Sequence, residues 1–198
     1  MGFTEDWAVI EIDASKIDLT NFVGNVVDLG IDVPVDKFTS WMLPHPANPP
    51  LFDYPGDRLH KFFGTILDEE MWKPDPNTHD HENDPIIMVM KRGHASGLTI
   101  GRLNTIRSFT RYYFKGEPGT MSKEVAVLPR NSKFGPFSEP GDSGSGVVDG
   151  KGRLAGLLMA GAGVTDILDR TYITSVNFIY ARMLMHGLRA NFFPSSTA

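Results

Sequence analysis

The chain contains no cysteine among its 198 residues. That rules out a disulfide framework, a cysteine nucleophile and any thiolate metal site, and it favours a reducing compartment. Long apolar runs are missing too: the longest fall far short of the ~20 residues that span a bilayer. Residues 1–7, Met1-Gly2-Phe3-Thr4-Glu5-Asp6-Trp7, lack the basic-then-apolar order of a secretory leader. Asp6 also stands where an N-myristoylation signal needs Ser or Thr. We therefore expect an intracellular, cytoplasmic protein with no membrane partner. Basic clusters are absent as well: the 19 Lys and Arg residues are scattered and the net charge is −5, so no nucleic-acid partner is expected. Repeats, heptads and low-complexity tracts are not found.

What remains is the makeup of an ordinary folded domain, 41% hydrophobic and 22% charged. Residues 7–12 alternate and favour β structure, which predicts a buried strand with Asp6 at its head. Residues 34–85 are broken by proline after proline and read as a long connecting region, with a short strand within 61–72 and an acidic loop at 75–84. Beyond Pro85, short β-favouring runs at 86–91, 98–114 (bent), 124–128, 144–148, 154–160 and 171–174 are separated by glycine or proline turns. Strands at this spacing predict a closed antiparallel barrel. Val176, Ile179, Tyr180, Met183, Leu184 and Leu188 recur at helical spacing, with Thr174 or Ser175 as cap and Gly187 near the stop.

Chemistry concentrates in Pro140-Gly141-Asp142-Ser143-Gly144-Ser145-Gly146. Glycines on both sides of a serine allow a sharp turn in which the hydroxyl projects and successive N–H groups converge, as an oxyanion hole requires. Alone, such a run is a tight turn or a linker as readily as a nucleophile loop. A strand follows it, then a turn at 150–152, another strand and a glycine-rich stretch at 156–163. An esterase of the α/β class would place a helix after the serine instead.

In that context the chain resembles the trypsin-like serine peptidases. The resemblance implies an all-β, chymotrypsin-like architecture: residues 1–33 a remnant of an N-terminal barrel, 34–85 a connecting region, and 86–198 a complete C-terminal barrel with a terminal helix. It further implies Ser143 as nucleophile, the amides of Gly141 and Ser143 as oxyanion hole, and Met159, Ala160 and Gly161 as the segment that pairs with bound peptide. Phe137, six residues before the serine, would set primary specificity through an apolar or occluded pocket. Asp6-Trp7-Ala8-Val9-Ile10 is similar to the strand whose aspartate orients the catalytic histidine, although an aspartate before a strand is also a common cap. Residues 91–101, Lys91-Arg92-Gly93-His94-Ala95-Ser96-Gly97-Leu98-Thr99-Ile100-Gly101, are similar to the hairpin that opens the C-terminal barrel in fungal members. A peptide or protein is the implied substrate or ligand, with no cofactor.

One part of the pattern is missing. The base should precede Asp6 by several strands, yet the histidines are His45, His60, His79, His81, His94 and His186. None stands where the family needs one, although His45 or His60 could be re-aimed from a loop. The expectation is an N-terminally truncated homologue of a serine endopeptidase, inactive as this chain, or a fragment of a longer product. The alternative is a non-catalytic peptide- or protein-binding module on the same fold. With its sheet neighbours gone, the apolar strand at 7–12 would need the proline-rich segment or a partner chain to cover it. The loop carrying Asp75, His79, Asp80, His81, Glu82 and Asp84 has metal-ligand chemistry but no rigid frame, and is expected to be solvated without metal.

Overall fold

In the computed structural model, which describes residues 2–162 and 169–194, a small pair of strands precedes a larger antiparallel sheet. The pair is β1 (Val26–Asp28) and β2 (Leu59–Lys61); the sheet comprises β3 (Met88–Gly93), β4 (Gly97–Leu103), β5 (Ser108–Phe114), β6 (Glu117–Pro129), β7 (Gly146–Asp149), β8 (Leu154–Ala162) and β9 (Arg170–Ser175). Its order is β4-β3-β7-β8-β9-β6-β5, and a further pairing of β4 with β6 closes a ring, so that only β5 lies outside. The expected closed, all-β barrel is present. Gly163, at the end of the expected glycine-rich stretch, lies outside the described residues.

The strands form because apolar side chains are buried on both of their faces. On β3, Val89 joins Leu103, Val125, Val147 and Ile173 in one cluster. Its neighbours Met88 and Met90 belong to the other, with Val27, Phe38 and Phe52. The predicted bent strand at 98–114 is two strands. The chain turns away where the amides of Leu103 and Asn104 donate to the carbonyls of Ile87 and Ala126. β6 is longer than its apolar run because its first half pairs with β5, as a hairpin leaving the barrel.

Residues 34–85 fold over one side of the barrel rather than trailing from it. Pro34 precedes α1 (Val35–Met42), a place where its missing N–H costs no helical bond. Phe38 and Met42 from that helix share a core with Met88, Met90, Ile100 and Val148. The strand expected within 61–72 is instead the end of β2 followed by α2 (Asp68–Trp72). Its first turn, Asp68-Glu69-Glu70, places carboxylates at the positive end of the helix, which alternation alone did not reveal. α3 (Val176–Met185) is the expected terminal helix: the Ser175 side chain accepts from the Asn177 amide, and Val176, Ile179 and Met183 are buried.

Residues 7–12 correct the sequence expectation of a buried strand. They form no strand, and Val9, Ile10 and Ile12 are 55%, 81% and 64% exposed. A strand needs a neighbour for its backbone groups, and among the described residues none lies alongside this stretch. The segment is anchored at and just before its first residue instead. The Thr4 amide donates to Glu124 Oε1 at 2.7 Å, and Trp7 lies edge-on to His186. Among the described residues no helix is long and apolar enough to cross a membrane.

Candidate active site

The loop carrying Ser143 is built around the aspartate beside it. Gly141 and Gly144 adopt φ of +108° and +86°, which side-chain-bearing residues avoid, and the reversal sends Asp142 inward and Ser143 outward. Asp142 is fully buried. Its Oδ1 accepts from the Ala95 amide at 2.8 Å and the Ser96 amide at 3.2 Å; its Oδ2 accepts from Ser96 Oγ at 2.6 Å and the Glu139 amide at 3.0 Å. Lys91 Nζ completes the set at 3.0 Å, with both side chains 0% exposed. The Nζ also lies 5.5 Å from the centre of the Phe137 ring.

Burial alone would raise the Asp142 pKa, but hydrogen bonds from Ser96, the Glu139 amide, Lys91 and the Ala95 amide outweigh it and hold the carboxyl well below its ordinary range. Burial pulls Lys91 downward, opposed by its bond to Asp142. The direction that governs is the carboxylate's: with donors on both oxygens, it stays ionised and keeps the ammonium opposite it. Both residues sit in a low-dielectric interior, where a pair is tolerated only when its remaining valences are satisfied. Here they are.

Gly93 makes the room. A Cβ at that position would sit 2.2 Å from Asp142 Oδ1. Gly93→Ala is therefore expected to destabilise the fold by about 1–3 kcal/mol through overpacking. Gly135→Ala, which meets nothing within 4 Å, should stay within about 0.5 kcal/mol of the parent. Urea unfolding of the two variants checks this; equal midpoints would contradict the crowding argument.

The far side of the loop is tied to β8. The Gly144 amide donates to the Leu158 carbonyl at 2.7 Å, and the Leu158 amide to the Ser145 carbonyl at 2.9 Å. Ser145 Oγ closes the turn by donating to the Asp142 carbonyl at 2.7 Å. Among the described residues, the amides of Gly141 and Ser143 donate to no protein acceptor. Ser143 is exposed, and among the described residues its Oγ reaches only the Met159 carbonyl, at 3.5 Å.

Met159, Ala160 and Gly161 lie on the last part of β8. They follow Leu158, the last residue joined to the serine loop by backbone hydrogen bonds, and continue along β9 across a register shift between Leu158 and Ala160. Phe137 is 0% exposed and packed in the barrel core. Its amide donates to Asp169 Oδ2 at 3.1 Å and its carbonyl accepts from Thr99 Oγ1 at 2.7 Å. The ring fills space beneath the loop and offers no free face. Asp6 is exposed on the irregular N-terminal stretch, and no contact among the described residues joins it to Ser143.

Among the described residues none of the six histidines contacts Ser143: five are engaged elsewhere, and the sixth, His94, is exposed on the same turn that binds Asp142. His60 is buried with Nε2 3.0 Å from the Asp149 carbonyl, and burial pulls its pKa down. His45 lies against His79 and His81, ring centres 4.9 and 5.1 Å away, on the proline-rich side. His186 faces Glu5 and Trp7, and His94 is exposed at the β3–β4 turn. In the acidic loop, Asp80 pairs with Arg102 at 3.1 Å. Among the described residues no group of three or more His, Asp or Glu side chains is arranged to hold a metal ion.

Two buried ionisable groups escaped the motif reading. Lys91 ends the run Met88-Val89-Met90-Lys91 and shares a strand face with inward Val89. A lysine at an inward position needs a carboxylate, a signal legible in advance. Glu124, also fully buried, accepts from the Thr4 amide and from Thr174 Oγ1 at 3.3 Å; Thr174 in turn touches Met159 Sδ. Nothing local in the sequence marks it.

No protein-family model and no curated protein matches the chain. Among solved structures it is similar to Cellulomonas bogoriensis chymotrypsin, with 22% identity over 55% of this chain and 52% of that one and a TM-score of 0.39. It is similar to a Nocardiopsis protease at 17% identity, covering 63% of this chain and 52% of that one, TM-score 0.41. A glutamic-acid-specific serine protease that uses a histidine triad in substrate binding matches at 13% identity over 66% and 55% of the two chains, TM-score 0.42. The chain spans about half the length of each of these proteases. Likeness this distant says nothing of activity or substrate.

Proposed function

We propose that the chain is a serine-peptidase homologue that retains the nucleophile and oxyanion half of an acyl-transfer site without a base of its own. The observation that carries this reading is the serine loop itself. Asp142 is pinned inward by Lys91 and the β3–β4 turn, leaving an exposed hydroxyl beside two amides that donate to no acceptor among the described residues. In the ancestral chemistry, Ser143 Oγ attacks a peptide carbonyl while the amides of Gly141 and Ser143 receive the developing oxyanion. The serine proton must leave during attack, and among the described residues the group within reach to receive it is a backbone carbonyl, which is no base. Asp6, exposed and remote in its contacts, orients no imidazole among the described residues.

A fluorophosphonate probe tests the reading at neutral pH, followed by intact mass. Ser143 should remain unlabelled over hours; fast stoichiometric labelling would show that an acceptor for its proton exists.

A second reading, a non-catalytic peptide-binding module, is favoured by the same loop together with the end of β8. Past Leu158, no strand among the described residues pairs with β8 on the serine side. An extended peptide can add there through its backbone. The exposed Val9, Ile10 and Ile12 support a role for a partner chain in covering the N-terminal segment.

A further inference from the structure

On another part of the molecule, between the N-terminal segment, α2 and the β5–β6 hairpin, lies an open groove of about 640 Å³. Its walls are aromatic: Phe3, Trp72 and Phe109, the last two 58% and 61% exposed. Most large aromatic groups of a folded chain find cover; two that stay bare beside one cavity form a surface suited to a flat apolar body.

Two cations, Arg107 and Lys123, line the same groove. Arg107 Nη2 donates to the Asp68 backbone carbonyl at 3.0 Å, and its guanidinium carbon lies 5.9 Å from the centre of the Phe3 ring. Nη1 is buried with no acceptor among the described residues. Burial pulls the Arg107 pKa down and the charge of Asp68 pushes it back. The Asp68 carboxylate is itself engaged, by Ser175 Oγ and by Asn177 Nδ2. It therefore gives Arg107 no direct ion pair. Lys123 is exposed, and its backbone amide, not its ammonium, holds the Gly2 carbonyl. A buried guanidinium N–H without an acceptor is unusual, because such donors are nearly always paired. Aromatic walls and two cations lining one groove describe the complement of one kind of ligand.

We propose that this groove is a binding site for a carboxylate carried on an aromatic body, its oxygens taken by Arg107 and Lys123 and its ring laid against Trp72 and Phe109. The site is independent of the Ser143 loop, and neither reading depends on the other.

Phenylacetate is the probe, with phenylacetamide as its uncharged twin, each titrated into the full chain at pH 7 and followed by the Trp72 indole and Lys123 amide signals in ¹⁵N–¹H spectra. Phenylacetate should shift both signals saturably, and phenylacetamide should bind at least tenfold more weakly. Arg107→Met keeps the apolar stem and should reduce phenylacetate affinity about tenfold while leaving the weak amide binding unchanged. Lys123→Met, on an exposed side chain, provides the same comparison if the Arg107 variant does not fold. Equal affinity for the acid and the amide, or no shift of the Trp72 signal up to about 20 mM phenylacetate, would overturn the proposal.

Discussion

Turnover of a peptide anilide by the purified chain is expected to lie about a millionfold below that of a serine enzyme with a working base, the loss seen when a triad's histidine is removed. Oxyanion donors and binding alone support at most ~10³–10⁴ over water. On the proposed function, the physical cause is the state of the Ser143 hydroxyl. An alcohol with a pKa far above neutrality attacks slowly unless its proton is taken in the same step, and Ser143 Oγ has only the Met159 carbonyl beside it among the described residues, at 3.5 Å. A second expectation separates this account from a merely slow enzyme. Ser143→Ala should change whatever residual rate is measured by less than about tenfold, since the residue it removes is not activated. A drop of ~10⁴ on the same substitution would show that some group does accept the proton, and the inactive reading would fall.

Lys91→Met is expected to lower stability by about 3–5 kcal/mol, the range seen when one partner of a buried ion pair is removed and the other is left uncompensated. For a domain of this size that is a fall in Tm of roughly 6–20 °C, read by calorimetry or circular dichroism. The loss follows from both side chains being 0% exposed. The substitution would leave the Asp142 carboxylate with its backbone and serine hydrogen bonds but no counter-charge. Adding Asp142→Asn to Lys91→Met should recover part of the stability, because the orphaned charge goes with it; a double variant no better than the single would mean that packing, not charge, decides.

The pair also sets an acid dependence. The folded-state pKa of Asp142 lies below the unfolded value. Its stabilisation is therefore fully present above the unfolded carboxylate pKa of about 3.9 and is lost as pH falls below it toward the folded value. The parent should weaken steeply from about pH 4 downward, and Asp142→Asn, less stable at neutral pH, should weaken less over that window. Parallel acid curves for the two proteins would refute the assignment.

Much of this is legible in the sequence. Alternating and continuous apolar runs after Pro85 announce the barrel strands, and the spacing of Val176, Ile179 and Met183 announces α3 with its Ser175 cap. The Gly-Asp-Ser-Gly run announces a tight turn with an exposed serine, because glycine's freedom at positive φ is a local property. Legibility fails where the partner decides. Residues 7–12 have a strand's alternation and, among the described residues, no strand to pair with. The stretch 61–72, expected to hold a short strand, instead contains a helix that starts at Asp68-Glu69-Glu70.

The amino-acid order by itself determined most of the barrel's extended segments, the tight turn around the serine, and an inventory of six histidines and no cysteine. Those are properties of neighbours along the chain: side-chain periodicity, glycine and proline geometry, residue inventory. Only the tertiary structure decided that Lys91 and Asp142 meet in the core, that Phe137 fills the space under the serine loop, and that Arg107 stands over a groove with a donor unmatched among the described residues. Each of those depends on burial and on the distance between residues far apart in sequence. Burial decides what a charge is worth, and it exists only once the barrel has closed.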